Sequence, residues 1–172
     1  MRNEGTLDGN RTTPDRTMTR LPLLATVLIL AACREADTFA PPPDPQQLAY
    51  APELHVDLHA MTRTASGLYL LDVRLGDGDQ VADGDTVRIL YAAWLPNGTL
   101  VEARSTPAEP AEFVLGDGTV IAGWEEGISG MREGGLRKLV IPPDLGFGRS
   151  GKPPVPPNAI LVVDIELLVD GT

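Results

Sequence analysis

The chain has little of three residue types, and each shortage excludes a class of structure or function. One cysteine among 172 residues leaves no partner for an internal disulfide. Basic residues number 14 against 24 acidic ones, and a net charge of −10 argues against nucleic acid as a partner. The two histidines, His55 and His59, fall short of the ligands that a metal site needs, so we interpret them as part of a solvated linker.

The main apolar run is too short to cross a membrane. Leu21 to Ala32 is uncharged and apolar, but a spanning helix needs roughly 20 residues. This length is typical of the apolar region of a secretory signal. Residues Leu30 to Cys33 read LAAC and resemble a bacterial lipobox, whose cysteine is lipidated and becomes the new N-terminus. We predict a lipoprotein signal peptide over residues 1–33 and membrane attachment through Cys33; a plain anchor or buried helix with an incidental cysteine is the alternative.

The flanks of this signal bear on the start of translation and on the destination. Met1 to Thr17 is long for the region that precedes the apolar run, so translation starts at either Met1 or Met18. An Asp directly after the lipidated cysteine resembles the inner-membrane retention signal of many bacteria. In this chain that position is Arg34, so the signal is missing. We therefore expect a lipid anchor in the cell envelope, in the outer membrane and facing the periplasm.

Proline is concentrated in two segments. Five prolines lie between Ala40 and Pro52, and six lie between Pro142 and Pro157. The run APPPDP from Ala40 to Pro45 is typical of a stiff polyproline spacer. We predict a Pro-rich tether over residues 34–62 that holds a folded domain, residues 63–172, away from the lipid surface.

Alternating apolar and polar residues predict that this domain consists mainly of antiparallel strands. Asn97-Gly98 favours a hairpin turn, and the Asp-rich segment Gly76–Asp85 lacks the spacing of a calcium loop, so we expect an exposed connection there. One helix is predicted over Gly123–Met131, before Gly134-Gly135. Strands are predicted over Tyr69–Leu75, Val87–Leu95, Thr99–Arg104, Ala111–Leu115, Arg137–Ile141 and Ile160–Val169. The pattern predicts an α+β fold, a curved antiparallel sheet of five to six strands wrapped around one short helix.

Four segments of this domain carry a family resemblance. In order they read YAAWLPNG from Tyr91, FVLGDGTVIAGWEEGISGMREGG from Phe113, KLVIPPDLGFG from Lys138 and PPNAILVVDIELL from Pro156. From about Thr64 to Asp170 the chain resembles the FKBP-type peptidyl-prolyl cis–trans isomerases. The resemblance implies an FKBP-like fold, proline-containing polypeptides as clients, and catalysis without cofactor or metal. We also expect a monomer.

The activity that the resemblance implies has a simple physical basis. Interconversion of an X–Pro bond must cross a barrier of about 18–20 kcal/mol, because amide resonance is lost in the twisted state. The twisted amide has less charge separation than the planar one, so a dry apolar pocket favours it.

The resemblance also implies roles for single residues. Trp124 is the pocket floor, Val120 and Ile121 line the wall, and the N–H of Ile121 donates to a client carbonyl. Tyr91 matches the pocket-side tyrosine of the family. At two further positions the chain differs from the usual residue. Glu102 replaces an Asp, and Phe147 replaces a tyrosine whose hydroxyl bonds the ligand. We take Tyr91, Glu102 and Phe147 as the catalytic set.

Other departures reduce the aromatic wall. Val101, Ala111 and Val163 stand where the family usually has phenylalanine, and Val155 stands where an apolar pair is common, in a loop that is one residue shorter. We expect Val101, Val155 and Val163 to contact the client in a wider and wetter pocket, with weakened catalysis and macrolide binding. An FKBP-fold chaperone with little turnover is therefore the main alternative, and a structural envelope lipoprotein is the second.

Overall fold

The computed structural model describes residues 41–168 of the chain, so the predicted signal peptide and Cys33 lie outside the described residues. It contains one α-helix, α1 (Ala122–Ile128), and short 3₁₀ turns at Pro45–Gln47, Pro52–Leu54 and Pro143–Leu145. The strands are β1 (Thr62–Arg63), β2 (Tyr69–Arg74), β3 (Thr86–Trp94), β4 (Leu100–Arg104), β5 (Ala111–Val114), β6 (Leu136–Ile141) and β7 (Leu161–Leu167). No helix within these residues is long and apolar enough to cross a membrane.

The strands form one antiparallel sheet of seven strands, in the order β1-β2-β6-β7-β3-β4, and β5 pairs with β3. The nine-residue β3 pairs with three strands. β7 lies along one edge, and on the other edge β5 pairs with the first half of β3 and β4 with its second half. The predicted α+β fold is confirmed. The strand count is seven rather than five to six, since the two-residue β1 is too short for alternation to reveal it.

The inner face of the sheet forms the main core with α1. Alternate residues of β3 and β7 are buried on this face, and Ile128 of α1 packs against them. The helix lies close to β6 because two of its residues are glycines. A Cβ atom added at Gly123 or Gly127 would be 2.5 Å from a side-chain carbon of Ile141 or Leu139, respectively. This close approach places the first turn of α1, with Trp124, against the end of β6.

Arg137 of β6 fixes the other end of the helix. Its guanidinium donates to the carbonyl of Gly127 at 2.9 Å and to the carboxylate of Asp72 at 2.7 Å. A cation close to the helix C-terminus also interacts favourably with the exposed carbonyl groups there. The helix is therefore held by close packing at both glycines and, at its C-terminal end, also by a hydrogen bond.

The outer face carries a second apolar cluster that the sequence did not predict. Residues 45–61, which we call the strap, cover this face with Leu54 and Met61, which are 4% and 8% exposed. Beneath them lie three sheet residues, Tyr69, Val140 and Val162, together with Ile160, which directly precedes β7. The backbone N–H of Ala51 also bonds the carbonyl of Pro96 at 2.8 Å.

The strap corrects the predicted tether over residues 34–62 for the part that the structure describes. Residues 41–44 precede the strap, but from Pro45 onward the segment packs on the domain instead of extending freely. The apolar side chains of this segment, Leu54 and Met61 among them, are the reason why it packs on the domain. In β2, Tyr69 and Leu71 face the strap, whereas Val73 and Leu75, which follows the strand, are 54% and 76% exposed.

Candidate functional site

A cavity of about 250 Å³ opens on the inner side of the sheet. Five parts of the chain contribute to it: β3, β4, β7, the start of α1 with the turn before it, and the loop after the last 3₁₀ turn. The residues that line it are Tyr91, Ala93, Val101, Glu102, Thr119, Val120, Ile121, Trp124, Phe147, Lys152, Pro153, Pro154, Val155 and Leu161. Most of these side chains are apolar, which is typical of small-ligand and peptide pockets.

Trp124 and Tyr91 form the aromatic centre of this cavity. Their ring centroids are 4.6 Å apart and the ring planes make an angle of 69°, an edge-to-face arrangement. Phe113 approaches the indole from another side, at 6.4 Å between centroids. The indole Nε1 is buried and forms no hydrogen bond within residues 41–168. The indole is therefore positioned by ring packing rather than by hydrogen bonding.

The turn before α1 presents a backbone donor at the cavity wall. Thr119 closes this turn, because its N–H and its hydroxyl both donate to Asp117, at 2.8 and 2.6 Å. These bonds lower the pKa of the Asp117 carboxyl. Ile121 precedes the helix in an extended conformation, and its N–H forms no hydrogen bond in the described part of the chain. This N–H is free to bind a carbonyl group of a client.

Tyr91 and Glu102 come together because β3 and β4 are paired. In this pairing Tyr91 lies opposite Arg104, and Ala93 lies opposite Glu102. Burial, a hydrogen bond to Glu102 and the charge of that carboxylate raise the pKa of Tyr91 to about 12, while Arg104 opposes this shift. At neutral pH the phenol is therefore protonated and can donate a hydrogen bond within the site.

The loop over residues 147–155 forms the remaining wall. It is held by backbone bonds: Gly151 N–H donates to Phe147 at 3.1 Å, and Lys152 and Val155 exchange two bonds of 3.0 and 2.6 Å. The Lys152 ammonium lies 5.7 Å from the centroid of the Phe147 ring, within the range of a cation–π contact. Val155 is buried, whereas Lys152 is exposed.

The structure brings together all but one of the residues that sequence analysis assigned to the site. The residues found in the lining are Tyr91, Val101, Glu102, Val120, Ile121, Trp124, Phe147 and Val155. Val163 is the correction, because it is fully buried in the core opposite Ala93 and does not line the cavity. Its short side chain ends within the packed sheet, where the phenylalanine usual in the family is larger. The functional roles of the assembled residues stay predictions.

Sequence analysis missed several lining residues. Leu161 could have been found, since it lies two positions before Val163 on the same face of β7. The other missed residues are in the loop that is one residue shorter than the family pattern: Lys152, Pro153 and Pro154. His55 has a left-handed φ of 49° after a 3₁₀ turn, so it does not share a helix face with His59. Residues 41–168 contain no cluster of three potential metal ligands.

Known protein families and sequences match this part of the chain. A model of the FKBP-type peptidyl-prolyl cis-trans isomerase family matches residues 78–168. An FK506-binding protein of Neisseria meningitidis serogroup B is 42% identical over 103 residues, which cover 59% of this chain and 94% of that protein. FkpA of Escherichia coli K12, an FKBP-type isomerase, is 44% identical over 105 residues, 61% of this chain. The chain spans only 38% of FkpA and 28% of FK506-binding protein 4 of Rhizopus delemar.

Solved structures agree with the sequence comparison. The crystal structure of FkpA from Escherichia coli superposes with a TM-score of 0.61 at 40% identity, covering 68% of this chain and 54% of that one. AtFKBP13 gives a TM-score of 0.60 at 31% identity, covering 64% and 98%. Because the family model matches more than half of the chain, the chain belongs to the FKBP-type peptidyl-prolyl cis–trans isomerase family.

Proposed function

We propose that this chain accelerates cis–trans isomerisation of prolyl bonds in exported proteins of the bacterial cell envelope, and that the reaction takes place over Trp124. One observation carries the proposal: the indole of Trp124 and the phenol of Tyr91 lie in edge-to-face contact in the lining of an open, mostly apolar cavity of about 250 Å³. Such a cavity can receive a proline ring and exclude water from its imide bond.

The mechanism requires no covalent step. The side chains of Val101, Val120 and Val155 surround the proline and stabilise the twisted imide, which is less polar than the planar one. The N–H of Ile121 binds a client carbonyl and holds the chain while the bond rotates. The phenol of Tyr91 donates its single proton to the carboxylate of Glu102, and its ring adds apolar surface beside the bound proline. Phe147 closes the wall without supplying a hydroxyl group.

The two tryptophans of the chain provide a matched test. Trp124 lines the cavity, whereas Trp94 packs on the outer face near the strap. The isomerisation rate of a proline-containing tetrapeptide is measured for the wild type, Trp124→Ala and Trp94→Ala, with circular dichroism as the check on folding. We expect Trp124→Ala to lose at least about ten-fold in kcat/KM, since a large apolar contact in the transition state is removed. An equal loss in both variants, or no turnover by the wild type, would refute the proposal.

A client-binding chaperone of the same fold is the second candidate. It is favoured by the small side chain of Val101 and by the absence of a hydroxyl group at Phe147, which leave less wall and fewer donors around the imide. Measurable binding of an unfolded protein without peptide turnover would support it. A purely structural role is less favourable, because Trp124 borders an open cavity rather than a filled one.

The location in the envelope rests on the sequence of residues 1–34. Lipidation at Cys33 would anchor the domain to the membrane, and Arg34 favours the outer membrane, facing the periplasm. We expect Cys33→Ser to release the protein from membranes or to leave the signal uncleaved. Membrane fractionation and intact mass measure both effects, and unchanged fractionation with unchanged mass would contradict lipidation.

A further inference from the structure

The lining of the cavity contains one cation and one anion. Glu102 is on β4, and Lys152 is on the loop over residues 147–155; the other lining residues are uncharged. The two charges therefore approach the cavity from different parts of the chain, and each can affect a client independently.

The charge of Glu102 is already engaged by its neighbours. It interacts with the hydroxyl of Tyr91, and Arg104 lies beside the same phenol. Lys152 differs, because no carboxylate within residues 41–168 forms an ion pair with its ammonium group. Its contact is the ring of Phe147, at 5.7 Å to the centroid. The cation in the lining is therefore available to a bound molecule.

The backbone under Lys152 is well ordered by local bonds. Its N–H donates to Val155 at 3.0 Å, and its carbonyl accepts from the same residue at 2.6 Å. Pro153 and Pro154 occupy the turn between them and restrict its backbone further. The flexible side chain of Lys152 therefore starts from a fixed point on the cavity wall, so the cation stays close to any client bound there.

We propose that Lys152 makes this pocket prefer prolines that are directly preceded or followed by an acidic residue. The inference rests on the isomerase function proposed above. A carboxylate next to the bound proline would be attracted by the ammonium, and a lysine there would be repelled. The net charge of −10 favours basic segments at long range. At about 0.15 M salt the screening length is about 8 Å, so the charge inside the cavity determines which residue is preferred beside the proline.

The test compares peptides that differ only beside the proline. The sets are Glu-Pro, Ala-Pro and Lys-Pro, and Pro-Glu, Pro-Ala and Pro-Lys, each assayed for kcat/KM at about 0.15 M salt. We expect the wild type to favour Glu over Lys by about two- to ten-fold in at least one set, the range for partly exposed charges. Lys152→Met keeps an apolar stem over Phe147 and should bring that ratio to one or below, and Lys152→Glu should invert it.

A matched control separates local charge from total charge. Arg88 lies outside the cavity lining and forms a long ion pair, 3.9 Å, with Glu112, so Arg88→Ala removes one positive charge elsewhere and should leave the ratio unchanged. Turnover of the alanine peptides with equal ratios in wild type and Lys152→Met would overturn the selectivity alone. If none of the peptides is turned over, the isomerase function and the selectivity fail together.

Discussion

At the scale of single residues, the site contains two aromatic rings that pack on each other, those of Tyr91 and Trp124. It also contains polar groups that interact with the hydroxyl of Tyr91. The phenol of Tyr91 touches the indole of Trp124 on one side and is bonded to Glu102 on another. Replacing the Asp usual in the family by Glu102 has therefore kept the carboxylate within reach of the phenol. The family resemblance implies that Val101 stands in place of a ring on the wall, and this difference can be tested directly.

Adding a ring at Val101 should improve catalysis. Val101 is half-buried in the cavity lining, and Val101→Phe would add apolar wall next to the bound proline. We expect kcat/KM for an Ala-Pro peptide to rise about two- to ten-fold, which corresponds to about 0.5–1.5 kcal/mol for an added aromatic contact. Val73→Phe is the control, because Val73 is 54% exposed and outside the lining. An unchanged or lower rate in Val101→Phe would show that a missing ring does not limit the pocket.

The pKa of Tyr91 predicts a loss of stability at high pH. The ordinary pKa of 10.0 is raised to about 12 in the folded protein, so the folded state holds a proton that the unfolded state releases earlier. The contribution of protonated Tyr91 to the free energy of unfolding is complete below about pH 10 and decreases as the pH rises towards 12. Urea denaturation at pH 8 and pH 11 should show a smaller decrease in unfolding free energy for Tyr91→Phe than for the wild type. Parallel decreases in both proteins would contradict the shift.

Tyr50 gives an independent check of the same effect on the outer face. Its pKa is also raised to about 12, mainly by burial and then by the nearby Tyr69 and Asp44, and its hydroxyl donates to the carbonyl of Pro45 at 2.9 Å. Tyr50→Phe should therefore reduce the alkaline loss of stability in the same range of pH. Because Tyr50 lies outside the cavity lining, it should do so without changing peptide turnover.

At the scale of elements, the sheet is covered on both faces, by α1 on the inner face and by the strap on the outer face. The strap has little regular structure, only the two 3₁₀ turns Pro45–Gln47 and Pro52–Leu54, so apolar burial rather than backbone pairing must hold most of it. This distinguishes it from a spacer, which would have polar side chains and no fixed contacts.

Two leucines of the strap allow a matched measurement of its contribution. Leu54 is 4% exposed in the outer cluster, and Leu48 is 37% exposed. Leu54→Ala should lower the free energy of unfolding by about 2–5 kcal/mol, the usual cost of removing a buried leucine side chain. Leu48→Ala should change it by no more than about 0.5 kcal/mol. Urea denaturation measures both, and a small, equal effect of the two substitutions would mean that the strap is not packed in solution.

At the scale of the whole molecule, the folded unit is larger than the segment that resembles the family. The family model begins at residue 78, and the folded domain was expected from residue 63, but the compact unit begins at Pro41. The residues beneath the strap, Tyr69, Val140, Ile160 and Val162, are at most 2% exposed. A chain cut at the expected boundary would present these side chains to water.

Fragments that begin at residue 63 or at residue 41 should therefore show which boundary is the correct one. A fragment of residues 63–172 should be less stable than one of residues 41–172, because its outer apolar cluster is uncovered. It should also bind a hydrophobic dye and self-associate, since large exposed apolar patches promote association. Urea denaturation, dye fluorescence and size-exclusion chromatography make the comparison. Equal stability and equal size of the two fragments would show that the boundary at residue 63 was adequate.

The sequence by itself determined the fold and most of the site. Alternation along β3 and the second half of β7 marks their buried faces, because in a strand every second side chain faces the core. The roles of Trp124 and of the Ile121 N–H were implied by the family resemblance, through the segments that carry it. Local pattern was sufficient for the strands and the helix.

Only the tertiary structure decided which residues meet across long stretches of chain. Val163 ends in the core and Lys152 reaches the cavity, and neither result follows from periodicity, since each depends on how far a side chain extends from a backbone fixed by distant contacts. The packing of the strap could not be predicted from periodicity either. Its apolar residues have no regular period, and their burial became evident only once β6 and β7 provided the surface beneath them.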